Sequence, residues 1–145
     1  GLSWETILKR RKDYRTAFHH FDPSKVAQMT DSELEDLREN EKIIRNRLKV
    51  RAAVSNAIAF MKVQEEFGSF SSYIWKFVDG KPIINNLRNS SEAKARTPLS
   101  DTISKDLKKR GFKFVGSTVV YAHMQATGMV NDHFEDCWKR NTAEI

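Results

Sequence analysis

The chain has 145 residues, enough for one hydrophobic core, and its 39% hydrophobic and 30% charged residues are the balance of a globular protein. No apolar run reaches the length that spans a bilayer, and the opening GLSWETILKRRKDY turns charged too early for a secretory signal. Lys and Arg number 25 against 19 Asp and Glu, so the formal charge of +6 suits a polyanionic partner; the single cysteine, Cys137, excludes an intrachain disulfide and fits a cytoplasmic location.

Helical periodicity runs through almost the whole chain. Trp4, Ile7, Leu8, Tyr14 and Phe18 define a first amphipathic helix with a basic face at Lys9 to Lys12. In FDPSKVAQMT the pattern breaks and restarts, with Asp22 as cap and Pro23 at the first helical position. Thr30 followed by Glu33 is a capping box. The longest pattern spans Lys42 to Phe67, and SFSSYIWKFV follows as a short aromatic helix whose rings belong in the core. The stretch from Asp79 to Pro98 reads as a surface loop. Ser100 and Asp101 open another helix, and a last one covers about Ser117 to Ala126. No strand pattern stands out. The predicted fold is all-α, a single domain over 1–145 with roughly six to eight short helices, and a monomer by default.

Between the last two helices lies KKRGFKFVGST, residues 108 to 118. Gly111 can end one helix in a left-handed conformation, and Gly116 admits a close approach to the backbone before the next helix begins. The N-terminus of that helix presents free N–H groups at Ser117 and Thr118 and the positive end of its dipole. Lys108, Lys109, Arg110 and Lys113 surround it with charge, while Phe112, Phe114 and Val115 are expected to anchor the turn in the core. Together, residues about 100–127 read as a helix-hairpin-helix clamp on the DNA backbone, which grips phosphates and reads no sequence. The competing reading is a helix corner with solvated lysines.

The segments GLSWETILKRRKDYRTAFHHFDPSKVA and LKKRGFKFVGSTVVYAHMQATGMVNDH resemble the bacterial DNA-3-methyladenine glycosylase I family, and the resemblance covers nearly the whole chain. It implies an all-α helix-hairpin-helix glycosylase that hydrolyses the N-glycosidic bond of 3-methyladenine in double-stranded DNA during base-excision repair. It implies that Trp4 stacks on the flipped base and that Gly1 and Leu2 wedge into the gap left behind. It also implies structural zinc held by His133 and Cys137 with a second Cys and His near the N-terminus. Four-residue spacing would put His133 and Cys137 on one face of a helical turn.

Several family features have no counterpart in the chain. The second ligand pair, a pocket tyrosine and the acidic pocket residue, a glutamate just upstream of GLSW, are absent, so no catalytic residue is assigned and an omitted N-terminal segment is expected. Glu5 sits one position from Trp4 and is not promoted to that role. His19 and His20 read as surface residues in a helix-like segment. Asp132 lies where many relatives outside the family keep a catalytic aspartate, and it can equally cap the turn before His133. Lys9, Lys12 and Lys49 read as solvated, which favours simple hydrolysis over a lyase step. The alternatives are a non-enzymatic hairpin DNA-binding module, a degenerate relative, or a helical interaction domain.

Overall fold

The computed structural model describes residues 2–141. The helices are α1 (Trp4–Lys9), α2 (Arg11–Ala17), α3 (Pro23–Ala27), α4 (Asp31–Glu39), α5 (Arg47–Phe67), α6 (Phe70–Trp75), α7 (Pro98–Lys109) and α8 (Ser117–Ala126). Two strands of two residues each, β1 (Ile83–Ile84) and β2 (Val130–Asn131), complete the fold, which is all-α in class. No helix among the described residues is long and apolar enough to cross a membrane.

Local chemistry sets most helix starts. Ser3, Asp22, Thr30, Ser69 and Thr97 each accept from a first-turn backbone N–H, and Thr30 with Glu33 forms the expected capping box. α7 begins at Pro98, two residues before the expected Ser100, because Thr97 is the cap and Ser100 closes a second box from inside the helix. The long helix begins at Arg47 and not Lys42. Asn40 accepts from the Lys42 N–H at 3.0 Å, a local turn that competes with helix, and Asn46 caps the later start by accepting from the Lys49 N–H at 3.1 Å.

The described residues fall into two compact units. The first comprises residues up to 65 together with 111–113. Its core is Phe18, Val26, Met29, Leu34, Leu37, Ile43, Val50 and Ala57, with Tyr14, Ala17 and Ala53 packed against it. The spacing of Leu34 and Leu37 on α4, and of Val50 and Ala57 on α5, puts each pair on one helix face. The expected first helix is split at Arg10, whose guanidinium donates to the Glu41 carbonyl at 2.6 Å.

His19 and His20 do not continue a helix. His19, His20 and Phe21 all have positive φ, at 50°, 57° and 59°, so the chain makes one left-handed turn on three non-glycine residues. Such backbone is disfavoured by about 1–2 kcal/mol per residue. The turn is closed by Phe21 N–H to the Phe18 carbonyl at 2.8 Å and Asp22 N–H to the His19 carbonyl at 3.1 Å.

The second unit comprises residues 66–110 and those from 114 on. Of the aromatics in and just after α6 only Tyr73 is fully buried, while Phe70, Trp75 and Phe77 are half-buried. α7 and α8 are joined by serines: Ser100 Oγ lies 2.7 Å from Ser117 Oγ, and Ser104 donates to the Val115 carbonyl at 2.6 Å. β1 and β2 pair in parallel, with Ile83 opposite Val130 and Ile84 opposite Asn131, and a bridge joins Leu87 to Phe134. This pairing sits in the stretch read as loop, since two-residue strands are too short to show alternation.

His20 is exposed and holds φ 57° with ψ 23°, a conformation glycine adopts without Cβ strain. We expect His20→Gly to leave stability unchanged or raise it by up to about 1 kcal/mol, whereas a glycine on a right-handed helix lowers it. The urea midpoint checks this.

Candidate functional site

The first unit contains an open cleft of ≈ 610 Å³, within the range of small-molecule sites. Its walls are apolar and aromatic: Leu2, Trp4, Ile7, Tyr14, Phe18, Phe21, Ile44, Val50 and Ala53, with Asn46 and Lys49 at its edge. Trp4 stands on the first residue of α1 with its side chain 82% exposed, so it is not a core anchor. Tyr14, Phe18 and Phe21 form a column of near-parallel rings, each pair 6.1 Å apart at 9°. The left-handed turn makes this column possible, since it brings Phe21 back onto Phe18 after three residues. Tyr14 Oη accepts from the Ile44 N–H at 3.1 Å and pins the opposite wall.

Leu2 is 59% exposed and lines the cleft, whereas Gly1 lies outside the described residues. Lys49, expected on a solvated face, also lines the cleft. Glu5 is ion-paired with Lys9 at 2.6 Å along α1. No carboxylate is among the described residues that line the cleft.

The stretch from 108 to 118 is a helix–turn–helix corner. Gly111 takes φ 96°, the left-handed end of α7 that the sequence requires. Gly116 has an ordinary φ of −61°, and a Cβ there would meet nothing within 4 Å. It starts α8 with no side-chain cap, which leaves the first-turn N–H groups of Ser117 and Thr118 without a capping side chain at the positive end of the dipole. Phe112 is buried as expected, but Phe114 is 51% exposed with φ 59°, because the turn continues left-handed and carries the ring outward.

The cations of this stretch divide. Lys108, Lys109 and Lys113 are exposed. Arg110 is held by Asp106 at 2.9 Å and Glu66 at 2.8 Å, with its guanidinium 4.8 Å from the Phe67 ring and 5.0 Å from the Tyr73 ring. Tyr73 Oη donates to the same Asp106 carboxylate at 2.6 Å. Burial works to raise the Asp106 pKa, but the hydrogen bonds from Tyr73 and Arg110 outweigh it and hold it below the usual carboxylate value. Arg110 is therefore part of the second unit's packing, beside its place in the basic run.

After β2 the chain runs in turns and not in helix. These turns still bring His133 Nδ1 within 3.7 Å of Cys137 Sγ, so the pairing expected from a helical turn arises by another route. A tetrahedral zinc with sulfur at about 2.3 Å and nitrogen at about 2.0 Å places two such atoms about 3.5 Å apart. The pair thus fits two corners of a zinc site. Among the described residues no group of three or more His, Cys, Asp or Glu could hold a metal. Asp132 accepts from Tyr121, Asn85 and Gln125. Burial would raise its pKa, but these bonds lower it, and they make the carboxylate a structural knot with little acceptor capacity left over.

Residues 1–140 match the model of the methyladenine glycosylase family. The chain belongs to that family. It is 46% identical to the DNA-3-methyladenine glycosylase of Haemophilus influenzae over 94% of its own length and 74% of the relative's. It is also 46% identical to DNA-3-methyladenine glycosylase 1 of Escherichia coli, over 94% of its length and 73% of the relative's. A crystal structure of 3-methyladenine DNA glycosylase I superposes with a TM-score of 0.90 at 47% identity, covering 95% of this chain and 76% of that one. A Staphylococcus aureus enzyme, solved for its recognition of 3-methyladenine, gives 0.91 at 38% identity, covering 97% and 74%.

In this methyladenine glycosylase the sequence reading missed Tyr14, Phe18 and Phe21 as cleft residues. Tyr14 and Phe18 satisfied the helical core pattern, which absorbed them. The spacing of 14, 18 and 21 would have shown one aromatic face, had the break before Asp22 been read as a return and not a stop.

Asp106→Asn tests the Arg110 knot. Because the folded-state pKa is depressed, the stabilisation is complete above the unfolded value of about 3.9 and is lost as pH falls through the folded value. At pH 7 the variant should be about 1 kcal/mol less stable, and that difference should shrink as pH falls below the unfolded carboxylate value. Urea unfolding across pH checks both.

Proposed function

We propose that this methyladenine glycosylase hydrolyses the N-glycosidic bond of 3-methyladenine in alkylated double-stranded DNA, the entry step of base-excision repair. The observation that carries the reading is the cleft: an exposed Trp4 beside a stacked aromatic column in a segment that the family model matches. A base inside a duplex cannot be reached, so it must be flipped out. N3-methylation makes the adenine cationic, and an electron-rich indole face attracts a cation as well as stacking on it. Leu2, exposed at the same cleft, would fill the gap in the stack.

The helix corner supplies the hold on DNA. Uncapped N–H groups at Ser117 and Thr118, with Lys108 and Lys109 on the preceding helix, form a helix-hairpin-helix phosphate site. A glycine at 116 is not required by anything inside the chain, which fits a position where a phosphate approaches the backbone.

The chemistry is dissociative. The C1′–N bond breaks with its electrons going to the base, which leaves as neutral 3-methyladenine, and water adds to the sugar cation. A cationic base is already a good leaving group, so little acid catalysis is needed.

Trp4→Ala should lower single-turnover release of 3-methyladenine by about 10- to 100-fold, the equivalent of about 1–3 kcal/mol of base stacking. Chromatography of the free base measures it, and equal release by the variant would remove Trp4 from the pocket. Borohydride added during turnover should trap no protein–DNA adduct, since hydrolysis forms no Schiff base.

We further propose that His133 and Cys137 are two ligands of a structural zinc, which would staple the turns after β2. Cobalt as a spectroscopic substitute should give thiolate charge-transfer absorption with the wild type and none with Cys137→Ser.

A further inference from the structure

Within the first unit, one side chain on α5 grips the backbone of the corner's turn. Asn56 Nδ2 donates to the Lys113 carbonyl at 3.1 Å, and Asn56 Oδ1 accepts from the Lys113 N–H at 2.7 Å. Both backbone groups of Lys113 are thus taken by a single amide, as a neighbouring strand would take them. Lys113 is exposed, and its backbone lies between the left-handed Gly111 and the left-handed Phe114, where no helix or sheet could satisfy it.

Asn56 also stands in a particular place on its helix. Lys49, Val50 and Ala53 of α5 line the aromatic cleft. Positions 49 and 56 are two turns apart and nearly eclipsed, so the cleft wall and the tether share one stripe, separated by about 10 Å along the axis. Neither end of that stripe has torsional freedom, because an α-helix lies between them.

We propose that Asn56 is a positioning residue for base excision: it fixes the Gly111–Lys113 turn at a set distance from the base cleft. This rests on the glycosylase reading. A flipped nucleotide has its base in the cleft and its phosphates only a few bonds away, which limits how far apart the two can be held. Catalysis by orientation needs both ends held together, and a displacement of about 1 Å can cost about 100-fold in rate. Asn56 touches neither base nor phosphate and acts through Lys113.

The test compares wild type, Asn56→Ala and Asn56→Asp. Asp keeps the shape and the acceptor for the Lys113 N–H, but loses the donor and faces a carbonyl. Three quantities are read: single-turnover release from methylated duplex DNA, affinity for free 3-methyladenine, and affinity for a duplex carrying an abasic-site analogue as a function of salt. Asn56→Ala should release base about 10- to 100-fold more slowly and bind the duplex about tenfold more weakly, with free-base affinity within about twofold of wild type. Its salt slope should be unchanged, in contrast to Lys109→Gln, which should lower the slope by about one. Asn56→Asp should fall between, and it decides the matter if the alanine variant does not fold.

Release and duplex affinity within about twofold of wild type in both variants would overturn the proposal. So would a loss of free-base affinity matching the loss of rate, which is what a collapsed cleft gives. Wild-type protein that releases no base would sink the glycosylase reading alone, and the tether is then judged on duplex affinity.

Discussion

The cleft depends on a backbone conformation that its own residues disfavour. Three consecutive left-handed residues, His19 to Phe21, turn the chain back so that Phe21 lies on Phe18 and Phe18 on Tyr14. What opposes the strain is packing and capping. Phe18 is 4% exposed in the core, and Asp22 restarts the chain as α3 by accepting from Ser24 and Lys25 N–H. Strain held by surrounding structure is a common mark of a working site. Here it lets a short loop place a ring at a cleft wall that a continuous helix would have aimed elsewhere.

The basic run shows a division of labour that charge counting hides. Arg110 is committed to Asp106 and Glu66 and lies against the Phe67 and Tyr73 rings, while Lys108 and Lys109 remain at the surface. The choice of residue type fits the task. A planar guanidinium can satisfy two carboxylates and stack at once, whereas a strongly hydrated ammonium on a flexible stem stays readily in solvent.

Much of this was legible in the sequence, and the failures share a cause. Capping signals placed α3 and α4 because a cap is a local event encoded in three or four residues. Gly111 was legible for the same reason: its left-handed role is local. The start of α5 was misjudged because Ile43 keeps helical spacing while Asn40 turns the backbone beneath it and Asn46 caps the helix only later. Phe114 was assigned to the core by its hydrophobicity, although backbone conformation turns it outward. Arg110 was grouped with its neighbours because nothing in KKR announces that Glu66, 44 residues away, claims one of the three. Trp4 and the pair His133 and Cys137 were identified through family resemblance, since a lone tryptophan and an H-x-x-x-C pair carry little meaning by themselves. The zinc they imply remains a proposal.

The short parallel pairing of β1 with β2 has a consequence for how the second unit is made. Ile83 and Val130 are partners across 47 positions of chain, and Leu87 and Phe134 repeat that separation. Closing a loop of that length costs entropy before any contact offsets it, whereas the serine-linked α7 and α8 are neighbours in sequence. The helix corner can therefore assemble early, and the turns carrying His133 and Cys137 are among the last parts to find their place.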